Sequence, residues 1–205
     1  MKRLLLLLMM AVVSLNLAAQ DITLPVPHKT GGMPLMEALS KRVSSRGYTG
    51  KVLSNQQLSD LLWAAWGVNR ADGKRTAGSS MNTQDIVLYV FMEKGAYRYD
   101  AGSHMLVKMA DGDLRTKVCT QPFGPQAFLQ IISVADQSKG RGDEMSKKIA
   151  SATNAGLIAQ NVYLYCASEG LNSVVYAGGI DRDAVASILK LGTDQWPVQG
   201  QAAGY

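Results

Sequence analysis

The longest helical pattern in the chain runs from residue 143 to about residue 170. Asp143 supplies an N-cap and Gly170 a stop. The first half is amphipathic. From 155 to 167 the only polar groups are Gln160, Asn161 and the hydroxyls of Tyr163 and Tyr165. A helix that is apolar nearly all round must be enclosed by protein. A chain of 205 residues has little material for a complete enclosure, so the pattern predicts that a second subunit supplies one wall.

Composition narrows the class. The chain is 47% hydrophobic and 18% charged, which excludes disorder and fits a globular protein with one domain. With only two cysteines, Cys119 and Cys166, and two histidines, His28 and His104, a disulfide scaffold, a four-ligand zinc site and a histidine-rich metal centre are all unsupported. A bridge between the two cysteines stays geometrically open. Residues 1–19 read as a secretory signal peptide: Lys2 and Arg3, an apolar run over 4–15, then Ala18 and Ala19. The run is too short to span a bilayer comfortably. The expectation is a leader over 1–19 and one domain over 20–205, exported to the periplasm or beyond, with no stable membrane insertion once the leader is removed. Two of the charges behind the formal +5 leave with it, and the remainder is no nucleic-acid signature.

Elsewhere the apolar period changes along the chain. Leu35, Met36, Ala38, Leu39 and Val43 recur at helical spacing after Pro34. Ser54 and Gln57 form a capping-box pattern ahead of Leu58, Leu61, Leu62, Ala65 and Trp66, with Gly67 as the stop. Residues 86–92 are a β-rich run, Glu93-Lys94-Gly95 turns it, and strands follow near Tyr97–Tyr99 and over 105–109, predicting a β-meander. Further strands are expected over 128–134 and 173–176. Asp181 caps a helix with Val185, Ile188 and Leu189 inward and Gly192 as its stop. Residues 195–205 close as a strand in which Pro197 favours an edge or a strand start. The layout is α+β, helices around a small sheet.

Three constellations carry possible chemistry. If the chain is extended over 42–46, Arg42, Ser44 and Arg46 point the same way, and two guanidinium forks with a hydroxyl make a phosphate clamp. The bland alternative is a solvated basic helix end. Ser79, Ser80, Met81 and Asn82 lie in a small, amide-bearing stretch before a strand, suited either to a polar ring edge or to a capped turn. Gly178 and Gly179 end a strand and permit close backbone approach to a flat ligand, or simply turn the chain. No nucleophile elbow, Walker loop or Gly-x-Gly-x-x-Gly pattern is present.

These pieces, in this order, resemble the nitroreductase family of FMN-dependent flavoproteins. "EALSKRVSSRGYTGKVLSNQQLSDLLWAAWG" is similar to the family's opening helix, Arg-x-Ser-x-Arg/Lys motif and following helix. "RTAGSSMNTQ" is similar to its Pro-Ser-Ser-x-Asn segment. "AGLIAQNVYLYCASEGLNSVVYAGGIDRDAVASILKL" is similar to its central helix, glycine-bearing strand end and next helix. The resemblance implies a mainly antiparallel sheet surrounded by helices, and a homodimer with FMN in the interface. Arg42, Val43, Ser44 and Arg46 would hold the phosphate and ribityl end. Ser79, Ser80, Met81 and Asn82 would reach the flavin from the partner subunit. Gly178 and Gly179 would bring backbone amides near N5, where a Cβ would block approach. The activity implied is an oxidoreductase passing hydride or electrons through the flavin between a donor and a small molecule such as a nitroaromatic, a quinone or a peptide heterocycle, with no protein nucleophile. The alternative is a flavin-binding or degenerate dimeric protein without redox turnover.

Overall fold

The computed structural model describes residues 20–205, so the expected leader over 1–19 lies outside the described residues. Seven strands form one sheet: β1 (Ile22–Thr23), β2 (Ile86–Met92), β3 (Gly95–Asp100), β4 (Met105–Asp111), β5 (Leu129–Asp136), β6 (Asn172–Tyr176) and β7 (Gln195–Gly204). Their order is β1-β4-β3-β2-β5-β7-β6, and every pairing is antiparallel. Five helices flank it: α1 (Leu35–Lys41), α2 (Asn55–Trp66), α3 (Arg115–Val118), α4 (Glu144–Glu169) and α5 (Arg182–Leu189). The fold is the α+β class that the mixed periodicities predict.

β2 shows why its sequence is apolar without alternation. Leu88, Val90 and Met92 enter one core with Leu58, Leu61 and Leu62 of α2 and Ile158 and Val162 of α4. Tyr89 and Phe91 enter a second core with Val118 of α3 and Val185 and Leu189 of α5. A strand covered on both faces has no solvent side to mark with polar residues.

The capping box at Ser54 forms: Gln57 N donates to Ser54 Oγ at 3.1 Å, and Ser54 N donates to Gln57 Oε1 at 3.0 Å. Asp143 caps α4 by accepting from Ser146 N at 2.8 Å, and Gly170 ends it in the left-handed region at φ 66. α4 buries Ser151, Asn154, Ala155, Ile158, Ala159, Val162, Tyr163 and Cys166. Its other face is open in the single chain, where Met145, Ile149 and Leu157 are exposed. The enclosure that the sequence requires is therefore half supplied. α1 packs on α4 through Ala38 and leaves Leu35, Met36 and Leu39 exposed as well.

Several details depart from the sequence expectation. α5 ends at Lys190, which takes the left-handed conformation before Gly192 is reached. Gly67 caps α2 in an extended conformation, φ −68 and ψ 157, rather than a left-handed one. The cysteines are no departure: the bridge that the sequence left open without support is not made, both are buried, and burial pushes the Cys166 thiol up to about 12. β7 is interior rather than an edge. Pro197 is tolerated there because β6 pairs with β7 only from Gly200 onward, leaving no ladder bond for its missing N–H to make on that side. A bulge at Val198 shifts the register against β5, and Arg182 Nε donates to Pro197 O at 3.0 Å.

Candidate functional site

The chain leaves α1 at Arg42 and runs without regular structure along the outer edge of β6. That edge has no strand partner, and its polar groups are satisfied by other means. Ser45 N donates to Ser173 O at 2.9 Å, Ser45 Oγ to Asn172 Oδ1, and Asn172 Nδ2 to Gly47 O at 3.0 Å. Val175 N donates to the hydroxyl of Tyr163, at 2.8 Å. The same hydroxyl meets Ser44 Oγ at 2.8 Å, and the Arg42 guanidinium stands 5.3 Å from the centre of the Tyr163 ring. Arg46 lies over Phe123 at 5.6 Å, and Phe123 in turn packs edge-on against Tyr176, the last residue of β6. Arg42 and Ser44 thus converge on one ring while Arg46 meets the next aromatic along. Val43 is exposed between them. Among the described residues neither guanidinium has a carboxylate within 4.0 Å. Their charge faces outward from a framework that leaves it uncompensated.

Gly178 and Gly179 follow directly after β6. A Cβ on Gly178 would meet nothing within 4 Å, so its outer side is open. Gly179 has φ +81, and a Cβ there would overlap the Gln121 side chain. Its carbonyl accepts from Thr120 N at 2.8 Å, and Cys119 bridges Ile180. The turn is therefore fixed from behind and free in front.

The third segment is built differently. Ser80, Met81 and Asn82 form a 3₁₀ turn, and Met81, Asn82 and Gln84 all hold positive φ, at 50, 54 and 45. Non-glycine residues in that region carry strain that the surroundings must hold. They do so here. Gln84 N donates to Ser79 Oγ at 3.1 Å, and Arg75 Nε donates to Gln84 Oε1 at 2.9 Å. Ser80 N donates to Asn154 Oδ1 at 2.8 Å, and Asn154 Nδ2 donates to buried Asp85 at 2.6 Å. Asp85 also accepts from Ser151 Oγ at 2.6 Å. The outcome is a stiff turn that presents Met81 to solvent.

In one chain these pieces form two clusters, not one. Arg42, Ser44, Arg46, Gly178 and Gly179 gather around the outer edge and end of β6. The segment from Ser79 to Asn82 is anchored at Asn154, nine positions before Tyr163 on α4, or ~14 Å along the helix at 1.5 Å per residue. Tyr163, Asn154 and Asp85 hold the clusters in place and were not singled out from the sequence. The signal was faint: a hydroxyl and an amide in an otherwise apolar helix, and a lone carboxylate ahead of a buried strand.

An antiparallel sheet covered on both faces, one long half-enclosed helix and a cation-bearing edge beside a glycine turn define an α+β protein with a candidate ligand edge. The nitroreductase family model matches residues 39–205, and the chain belongs to the nitroreductase family, an oxidoreductase family. A Methanocaldococcus jannaschii protein named as a nitroreductase is 30% identical over 170 residues, covering 77% of this chain and 84% of that protein. The crystal structure of a Ralstonia eutropha JMP134 nitroreductase matches with a TM-score of 0.85 at 39% identity, over 92% of this chain and 90% of that one. A nitroreductase structure from Anabaena variabilis shares the fold with a TM-score of 0.74 at 21% identity, over 90% of this chain and 41% of that one.

Proposed function

We propose that this chain is an FMN-dependent oxidoreductase that works as a homodimer on a small-molecule acceptor. The observation that carries the reading is the pair of guanidinium groups, Arg42 and Arg46, held beside Ser44 without carboxylate partners at the edge of β6. Two uncompensated cations and a hydroxyl suit a phosphate monoester. The glycine turn supports the other end of the ligand, because Gly178 leaves room for a flat ring to reach the backbone. Bound flavin would supply the hydride chemistry that no side chain here provides.

The chain's own part is positioning. Arg42, Ser44 and Arg46 neutralise and orient the phosphate, with Val43 between them against the ribityl chain. Gly178 and Gly179 offer backbone N–H groups to the ring. The turn at Ser79, Ser80, Met81 and Asn82 lies too far along α4 to join the same chain's cluster. A twofold dimer burying the open face of α4 carries it toward the partner's β6 edge instead. The exposed apolar residues of α1 and α4 support that partner being a second copy, since an open apolar face of this size marks an association surface. In the same reading residues 1–19 export the chain, and mature protein begins near residue 20.

Absorption spectroscopy tests the cofactor. The purified protein is expected to be yellow, with one FMN per subunit, bleached by dithionite and reoxidised by an added quinone or nitroaromatic. Arg42→Glu with Arg46→Glu should abolish FMN retention, since each charged contact is worth on the order of 1.5–3 kcal/mol. A colourless protein that refuses FMN on reconstitution refutes the proposal.

A further inference from the structure

We infer that Tyr163 is a positioning residue that sets the proton direction of the phosphate site by fixing Ser44 as a donor. The inference rests on the flavin reading above and concerns a residue of α4 that touches no ligand itself.

The Tyr163 hydroxyl has two partners. Val175 N, on the outer edge of β6, donates to it at 2.8 Å; a backbone N–H cannot do otherwise. The remaining partner is Ser44 Oγ at 2.8 Å. Among the described residues no other acceptor is within reach of the Tyr163 proton, so that proton goes to Ser44 Oγ. Ser44 then accepts from Tyr163 and keeps its own proton for an acceptor outside the protein. No acceptor for it exists among the described residues. The chain of bonds runs Val175 N–H to Tyr163 O–H to Ser44 O–H, all in one direction. It ends on an exposed hydroxyl carried on the same segment as Arg42 and Arg46. An anionic oxygen is the acceptor that this arrangement fits, and each bond in such a series strengthens the next.

Tyr163 also ties the two ends of the site. Its ring supports the Arg42 guanidinium at 5.3 Å, and its hydroxyl holds β6 at Val175, three residues before Gly178. The ring and the hydroxyl are separable by substitution. Tyr163→Phe keeps the support under Arg42 and removes only the bonded oxygen.

The test compares two ligands that differ by one group, FMN and riboflavin. Titration by flavin fluorescence quenching gives both dissociation constants for the wild-type protein, Tyr163→Phe, Ser44→Ala and the double variant. The thermal midpoint of each flavin-free protein reports folding. Tyr163→Phe is expected to weaken FMN binding roughly tenfold while riboflavin binding stays within about twofold, as the loss of one oriented bond to a charged group implies. The double variant should lose no more FMN affinity than Ser44→Ala alone, because both act through one hydroxyl. Equal weakening of both ligands by Tyr163→Phe makes the tyrosine a packing residue and overturns the inference. So does an unchanged FMN constant, or additive losses in the double variant. If the wild-type protein binds FMN and riboflavin equally, the phosphate assignment of Arg42, Ser44 and Arg46 fails first and this inference with it. A wild-type preference for FMN that survives in Tyr163→Phe refutes the inference alone.

Discussion

Leu157→Glu isolates the role of the open face of α4. Leu157 is 47% exposed in the single chain and lies beside Gly78, just ahead of the turn that carries Met81. Fully burying a leucine is worth about 1.5–3 kcal/mol, so covering the remaining half is worth ~1 kcal/mol per subunit and ~2 kcal/mol per dimer. A carboxylate in its place would have to give up its water when the face is covered. Two such charges add a cost of at least ~2 kcal/mol at each dimer contact. The sum, ~4 kcal/mol, raises the dimer dissociation constant about a thousandfold. Sedimentation equilibrium over a dilution series measures this directly. Met109→Glu, on β4 and away from α1 and α4, serves as the control and should leave association unchanged. On the proposed dimer, FMN content should fall with dimer content in Leu157→Glu, because that reading completes the two clusters of the site from two chains. A Leu157→Glu protein that stays dimeric at wild-type dilution refutes the placement of the interface. One that becomes monomeric yet keeps its flavin refutes the shared site.

Three further outcomes follow from the same structure. Gly179→Ala should lower stability by about 1–3 kcal/mol, because φ +81 and the Gln121 side chain both oppose a Cβ, whereas Gly178→Ala should melt like wild type; differential scanning fluorimetry separates the two, and an unchanged midpoint for Gly179→Ala refutes the account of the turn. Asp85→Ala strands the buried donors of Ser151 and Asn154, at about 1–3 kcal/mol each, and should lower the thermal midpoint by roughly 10 °C, with Asp85→Asn milder; equal midpoints for the two variants would contradict the donor count. Burial holds His104, bonded to Ser59 Oγ at 2.7 Å and Tyr99 Oη at 2.9 Å, below the ordinary histidine value of about 6.5. The unfolded chain therefore takes up the proton first, so this contribution to stability is complete above about pH 6.5 and is lost as pH falls from there toward the folded value. His104→Gln should flatten that slope in midpoints measured from pH 8 to 5, and an identical slope would remove His104 as its cause.

What could be read from the sequence divides along a physical line. α2, β2 and α4 carried their own signals: a reciprocal cap at Ser54 and Gln57, an unbroken apolar run rich in β-branched and aromatic residues, and a long stretch between Asp143 and Gly170. These signals are local, so no fold was needed to see them. α3, at four residues, and β1, at two, are too short to show a period and exist because their neighbours hold them. Pro197 pointed to an edge or a strand start; the strand is interior, and Pro197 lies near its start, where β6 does not yet pair and the bulge at Val198 bends the ladder. The candidate site followed the same division. Arg42, Ser44, Arg46, Gly178 and Gly179 advertise chemistry by type and spacing. Tyr163 and Asn154 do not, since their meaning comes from partners 119 and 74 positions away. In sequence Tyr163 was one more residue of an apolar stretch and Asn154 one more polar residue of an amphipathic one.

The place of β7 has a consequence for how the protein is made. It is the last of the described elements in chain order, yet β6 joins the sheet only through it. A growing chain can assemble β2, β3, β4 and β5 with α2 as soon as they emerge, but β5 then exposes an open strand edge. β6 has nothing to pair with, so the edge on which Ser45 and Tyr163 rest does not yet exist. The nascent protein is thus without its candidate phosphate edge and prone to pair with the wrong strand until the ten residues of β7 have emerged. On the flavin reading, cofactor loading waits for β7, and a chaperone that shields a bare β edge would act on this protein in the interval before it pairs.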